Sequence, residues 1–212
     1  MGILPRLGFG RKQPEDPLVR SLSEIPVPLG DAGPLVDGLV PDEARLVRVS
    51  SRGDRELGAI AEYRLQLLLP REVLAARLFA VAQTLGEERP PCVTWLRQLV
   101  VLLADAHAAA RWFGDRGVKF RDYGGREIGG FRYQQIDVVP LAGLGDEAQM
   151  LIGPNDTRGL PFVDTYVNVR RGRFFGCVSV STFKDLDVRD QLRELAGRLV
   201  TRMDGAYREE RQ

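Results

Sequence analysis

The chain has 212 residues, 44% of them hydrophobic, and 30 basic against 29 acidic side chains, for a net charge of +1. That length suits one domain with a sizeable core. So even a charge balance argues against nucleic acid or acidic lipid as a partner of the whole surface, because steering needs an excess of one sign.

Residues 1–17 read as a flexible tail, broken by Pro5, Pro14 and Pro17. Its apolar stretch is short, its basic residues follow rather than precede it, and no lipobox cysteine is present, so neither a signal peptide nor a lipid anchor is expected. No apolar run reaches the roughly 18 residues of a membrane span. The expected compartment is cytoplasmic. Leu4, Leu7 and Phe9 lie beside Arg6, Arg11 and Lys12. That mixture fits weak contact with an anionic membrane through the tail.

Residues 18–212 read as a single α+β domain. Residues 18–42 form an irregular lead-in lying against it. Strands are predicted over 44–49 and 59–69, joined by the Ser51–Asp54 turn. A helix is predicted from Pro70 to Gly86, with Leu74, Leu78, Val81 and Leu85 at helical spacing. The run 93–103 is a strand whose apolar pattern is interrupted at Arg97-Gln98. Asp105 caps a short helix expected to end at Gly114 or Gly117. The stretches 118–123 and 130–139 read as a hairpin around a glycine-rich loop. A strand over 149–152 and a polar loop over 153–160 follow. The clearest hairpin pairs 162–169 with 174–183, with Gly172 supplying a positive φ. From Asp187, Val188, Leu192, Leu195, Ala196, Leu199, Val200, Met203 and Tyr207 form the stripe of a long amphipathic helix. About three helices on a mostly antiparallel sheet define the fold class.

Candidate chemistry is sparse. His107 is the one histidine, no G-x-S-x-G elbow exists, and one His with two distant Cys cannot close a zinc site. The glycine runs match no nucleotide fingerprint. No cofactor and no metal are expected. Asp146 and Glu147 form an adjacent carboxylate pair that could support acid–base work. Arg170, Arg171 and Arg173 place three guanidinium groups at a hairpin tip, a geometry suited to carboxylate or phosphate partners. Arg111, Arg116, Lys119, Arg121, Arg126 and Arg132 alternate with Trp112, Phe120, Tyr123, Phe131 and Tyr133. Such interleaving can stack bases. Asp115, Asp122 and Glu127 blunt it, so ordinary strand alternation is the reading and no nucleic acid is expected, with Trp112 kept as a candidate binding residue.

The order V100-V-L-L-A-D-A-H-A-A-A-R-W-F113, then L141-A-G-L-G-D-E-A148, then Y166-V-N-V-R-R-G-R-F-F-G-C-V-S-V180 and a terminal amphipathic helix resembles the PsbP-like bacterial α/β-sandwich domains, including LpqN-like lipoproteins and actinobacterial sensor domains. The resemblance spans residues 93–207. It implies an antiparallel sheet with helices packed on it, used for binding, and it carries over no catalytic residue. The expected function is therefore a non-catalytic binding or accessory protein that engages a protein partner or an apolar ligand in a cleft between sheet and helices. One alternative is a membrane-peripheral scaffold held by the tail. The other is an enzyme with a carboxylate–arginine site around Asp146 and Glu147.

Overall fold

The computed structural model describes residues 16–22, 24–28, 31–36, 39–47, 59–68, 92–128, 130–157, 160–183 and 186–210. The expected 51–54 turn, the helix over 70–86 and the membrane-contact residues Leu4, Arg6, Leu7, Phe9, Arg11 and Lys12 lie outside them.

The lead-in is more ordered than its prolines suggest. Helix α1 (Pro17–Ser21) starts with proline in its first turn and is capped by the Asp16 side chain, which accepts from the Leu18 N–H at 3.1 Å. Asp16 and Pro17 thus belong to the folded part rather than to the tail. A 3-10 turn (Gly33–Val36) follows. Leu18, Leu22, Ile25, Val27 and Leu35 from this segment are all at most 3% exposed and join the core.

The strands are β1 (Val40–Val47), β2 (Ala59–Leu68), β3 (Cys92–Leu103), β4 (Glu127–Ile128), β5 (Phe131–Tyr133), β6 (Asp137–Pro140), β7 (Glu147–Thr157), β8 (Leu160–Arg171) and β9 (Phe174–Phe183). Among the described residues they form one sheet in the order β1-β2-β3-β9-β8-β7-β5-β4, with β6 also on β7. Every pairing is antiparallel. The polar loop expected over 153–160 is largely strand, because Gly153 to Thr157 continue the ladder against Leu160 to Asp164.

Two longer helices cover opposite faces. Helix α3 (Arg189–Glu210) lays Leu192, Leu195, Ala196, Leu199 and Met203, each at most 3% exposed, on Val167, Val169, Val178 and Val180. Gly176 lets it approach. A β-carbon there would lie 2.5 Å from Met203 Cε and 2.8 Å from Leu199 Cδ2. The lead-in shares this face, held by Gln98, whose amide accepts from the Val27 N–H at 2.8 Å and donates to the Val27 carbonyl at 2.9 Å.

Helix α2 (Ala106–Arg121) packs on the other face through Ala108, Ala109, Trp112 and Phe120. Asp105 caps it as expected, accepting from the Ala108 N–H at 2.7 Å. It does not stop at Gly114 or Gly117. It runs to Arg121, so residues 118–121 are helical and not the strand of a hairpin. Two isolated glycines cost a helix only about 1 kcal/mol each, and tertiary packing outweighs that. At Gly117 the helix comes close to β7, since a β-carbon there would sit 2.6 Å from Gln149 Nε2 and the Gln149 amide would have to move aside.

Cys92 and Cys177 are both free thiols. Cys177 pairs in register with Leu99, seven positions along β3 from Cys92, which is about 23 Å at strand rise and far beyond disulfide reach.

Leu195→Ala removes a side chain buried between α3 and the sheet. It should lower the unfolding free energy by about 2–5 kcal/mol, as for other large-to-small core changes. Urea denaturation measures it. A loss below about 0.5 kcal/mol, the size of a surface change, would mean that α3 does not hold the core.

Candidate functional site

The two faces of the sheet differ in chemistry. The α3 face is apolar where the helix sits. The α2 face is not, and register explains how its polar residues meet. Arg97 on β3 pairs with Ser179 on β9, Ser179 with Tyr166 on β8, and Tyr166 with Leu151 on β7. The next row is Leu99, Cys177, Asn168 and Gln149. The row on the other side is Trp95, Ser181, Asp164 and Gly153. Side chains two apart on a strand share a face, so these rows form one surface beneath α2, about 14 Å across at strand spacing.

A cavity of about 260 Å³ lies between these rows and the helix. Arg97, Leu99, Leu151, Tyr166, Asn168 and Cys177 form its floor. Arg116, Lys119 and Phe120 descend from α2, and Tyr123 from the turn just after it, to form its wall. Phe120 packs tilted on Tyr166 with centroids 4.3 Å apart, and edge-on to Tyr123 and Tyr133 at 5.7 and 6.0 Å. Such ring pairs are stiff and favourable beyond their buried area.

Three cations therefore face one cavity. Arg97 lies 5.6 Å over the Trp95 ring, and Arg116 lies 4.8 Å over Trp112, distances at which a guanidinium is held by the ring quadrupole. Among the described residues no carboxylate lies within ion-pair distance of Arg97, Arg116 or Lys119. Asp164, one row along the floor from Arg97, is 4% exposed and accepts from the Tyr133 hydroxyl at 2.8 Å. Burial pushes the Asp164 carboxyl up, while Ser181, Tyr133, Asn155 and the Arg97 charge pull the other way without offsetting it. Burial likewise keeps the Tyr166 hydroxyl protonated, and it pushes the Cys177 thiol up in spite of Arg97 and Arg116.

Six buried polar atoms have no protein partner among the described residues. They belong to Arg97, Trp112, Gln149, Asn155, Asp164 and Ser179. All six lie on the α2 side. Each such group costs about 1–3 kcal/mol when left unpaired.

The sequence-predicted residues fall elsewhere. Register sets Glu147 opposite Arg170, so the carboxylate pair and the arginine tip meet each other. Arg170 contacts Asp146 and Glu147, both at 3.0 Å. Arg171 contacts Asp146 at 2.9 Å and Asp204 of α3 at 2.6 Å. Arg173 contacts Asp16 at 2.5 Å and donates to the Leu103 carbonyl at 3.0 Å. The tip accordingly does not present three free guanidinium groups. Gly172 has φ +54°, as its turn requires, and its N–H donates to Asp146 at 2.8 Å. Burial alone would raise the Asp146 carboxyl. The Gly172 bond and the two arginines outweigh it and hold the group below its ordinary value. Trp112 is 2% exposed against Phe175 and is closed to an outside partner, although it carries Arg116. His107 is exposed on the first turn of α2 and does not line the cavity.

No family model matches the chain, and no curated protein is similar to it. Among solved structures it is similar to the extracellular domain of PknH from Mycobacterium tuberculosis, with a TM-score of 0.59 at 12% identity, covering 88% of this chain and 96% of that one. At that identity the likeness carries the fold alone. The chain is an α+β protein with helices on both faces of an antiparallel sheet.

Asp164 offers a test of the polar floor. Its folded-state carboxyl is raised, so the stability it contributes is full below its unfolded value of 3.8 and is lost as pH rises through the folded value. Asn cannot ionise, yet it still accepts from Tyr133. The stability of Asp164→Asn relative to wild type should be level in acid and should rise from about pH 4 upward. Urea unfolding at several pH values measures it. A difference that stays flat would mean that the fold leaves the carboxyl unperturbed, and one that falls with pH would place the carboxylate in a stabilising ion pair; either result overturns the expectation.

Proposed function

We propose that the chain is a non-catalytic binding module and that it takes a small molecule in the cleft between α2 and the sheet. The carrying observation is that the unpaired buried polar atoms all lie on the α2 side of the sheet, and that one of them, Arg97 Nε, belongs to a residue lining the cavity there. A face serving only as core would be expected to bury apolar groups or fully paired ones. An enclosed hollow with aromatic walls and a few converging polar groups is the usual form of a small-ligand site.

Several features favour binding over turnover. Cys177 is the nucleophilic type in the cleft, and burial holds its thiol protonated, against what a reactive thiolate requires. His107 is out of reach of the cleft lining. In the carboxylate–arginine alternative, the Asp146 and Glu147 side chains are engaged by Arg170 and Arg171 on the same surface. Those contacts tie β7, β8 and α3 together, which is a structural task.

The reading is tested by native mass spectrometry after incubation with a metabolite extract of the source cells. Wild type should retain a small-molecule mass. Asn168→Phe, which fills the floor, should retain none while keeping its far-ultraviolet circular dichroism. If both retain the same mass, the ligand sits outside the cleft. If wild type retains nothing under conditions that preserve its fold, the small-molecule reading fails.

A further inference from the structure

The ligand's chemistry can be argued from the same cleft, and this step rests on the reading above. Arg97 enters from the floor, and Arg116 and Lys119 enter from the helix. No carboxylate of the described residues neutralises any of them at close range. Arg97 Nε is shut away from the surface and has no acceptor. A guanidinium nitrogen cut off from water normally finds an acceptor, because losing that water without replacing it is unfavourable. Arg97 and Arg116 are also held by the faces of Trp95 and Trp112, which leave the N–H edges of the planar fork available. That fork matches the two oxygens of a carboxylate or phosphate.

Asn168 and Cys177 apart, the remaining lining is apolar or aromatic: Leu99, Leu151, Phe120, Tyr123, Tyr166 and Phe175. A free inorganic anion would leave those groups unused. At about 260 Å³ the cavity is just below the range of sites for drug-sized ligands. It holds a compact body of one or two rings. We infer that the cleft binds a small aromatic anion, with its carboxylate or phosphate group on Arg97, Arg116 and Lys119 and its ring among Phe120, Tyr123 and Tyr166.

The test uses the full chain and two series of probes, phenyl and 2-naphthyl. Each ring carries a carboxylate, a phosphate, a carboxamide or a methylammonium group. Affinities are measured by ligand-observed NMR. The anionic members should bind about tenfold or more tightly than the carboxamides, the difference expected of a charge-assisted bond. The methylammonium members should bind weakest. Arg116 and Lys119 are exposed on α2, so replacing them leaves the core intact. The double variant Arg116→Gln, Lys119→Gln should lose about tenfold in anion affinity and keep its carboxamide affinity. Arg97→Gln should lose more. Carboxylate against phosphate decides which acid the site prefers. Equal affinity for anion and carboxamide, with no effect of the substitutions, would overturn the anion assignment and leave the cleft as a neutral-ligand site. Failure of every member of both series to bind would overturn the assignment together with the cleft reading.

Discussion

Strand β9 has no free edge and no free face. It pairs with β3 along one side and β8 along the other, and all ten of its residues are buried. Its register decides everything placed around it, because a slip of one position would exchange the two faces. In the register observed, Phe174, Val178 and Val180 meet the α3 side, with Gly176 between them to admit the helix. Phe175, Cys177, Ser179 and Ser181 meet the α2 side. The same pairing carries Arg97 into line with Tyr166, two strands away. The cleft is therefore a consequence of how the middle of the sheet is paired, not of a loop laid over it.

The division of labour between the faces follows. The α3 face gathers the lead-in, the terminal helix and the apolar residues of β8 and β9, and it supplies most of the stabilising burial. Each fully buried Leu or Val is worth about 1.5–3 kcal/mol there. The tip network of Asp146, Arg170, Arg171 and Asp204 fastens the β8–β9 turn to α3 on the same side. Its members are partly exposed, so the network orients the turn more than it stabilises the fold. With stability concentrated there, the α2 face can carry polar rows that a core could not tolerate. Gly117 and Gly153 let α2 and the Phe120 ring come close at two points, and the space between those points remains open.

Much of this architecture was legible in the sequence. The terminal helix was readable because its apolar stripe runs over several turns, and the 162–183 hairpin because alternation and Gly172 agree. The helix α2 was under-read. Its C-terminal half carries two glycines and a run of basic and aromatic residues that alternates like a strand, and only contact with the sheet shows that Arg116, Lys119 and Phe120 turn towards the cleft, with Tyr123 following from the turn beyond. The best available pointer to the cleft was the polar break at Arg97-Gln98. In a strand otherwise apolar, it marks two separate tasks on opposite faces. Gln98 holds the lead-in through Val27, and Arg97 enters the cleft. The arginine tip was legible as a cluster but not as a paired one, because register alone brings Asp146 and Glu147, more than twenty residues away, to meet it.

An unpaired cation under a helix also links binding to stability. Asn155 and Ser179 are buried with a polar atom unmet, and Arg97 Nε is shut away without an acceptor, so the protein on its own tolerates costs that a well-paired floor would not incur. A ligand that meets even one of those groups binds the folded chain and not the unfolded one. It then raises apparent stability in proportion to the logarithm of its concentration over its dissociation constant, about 2.7 kcal/mol at a hundredfold excess. The face that contributes least to holding the unliganded fold is the one where an occupant would add most. That places recognition and stabilisation in the same few residues beneath α2.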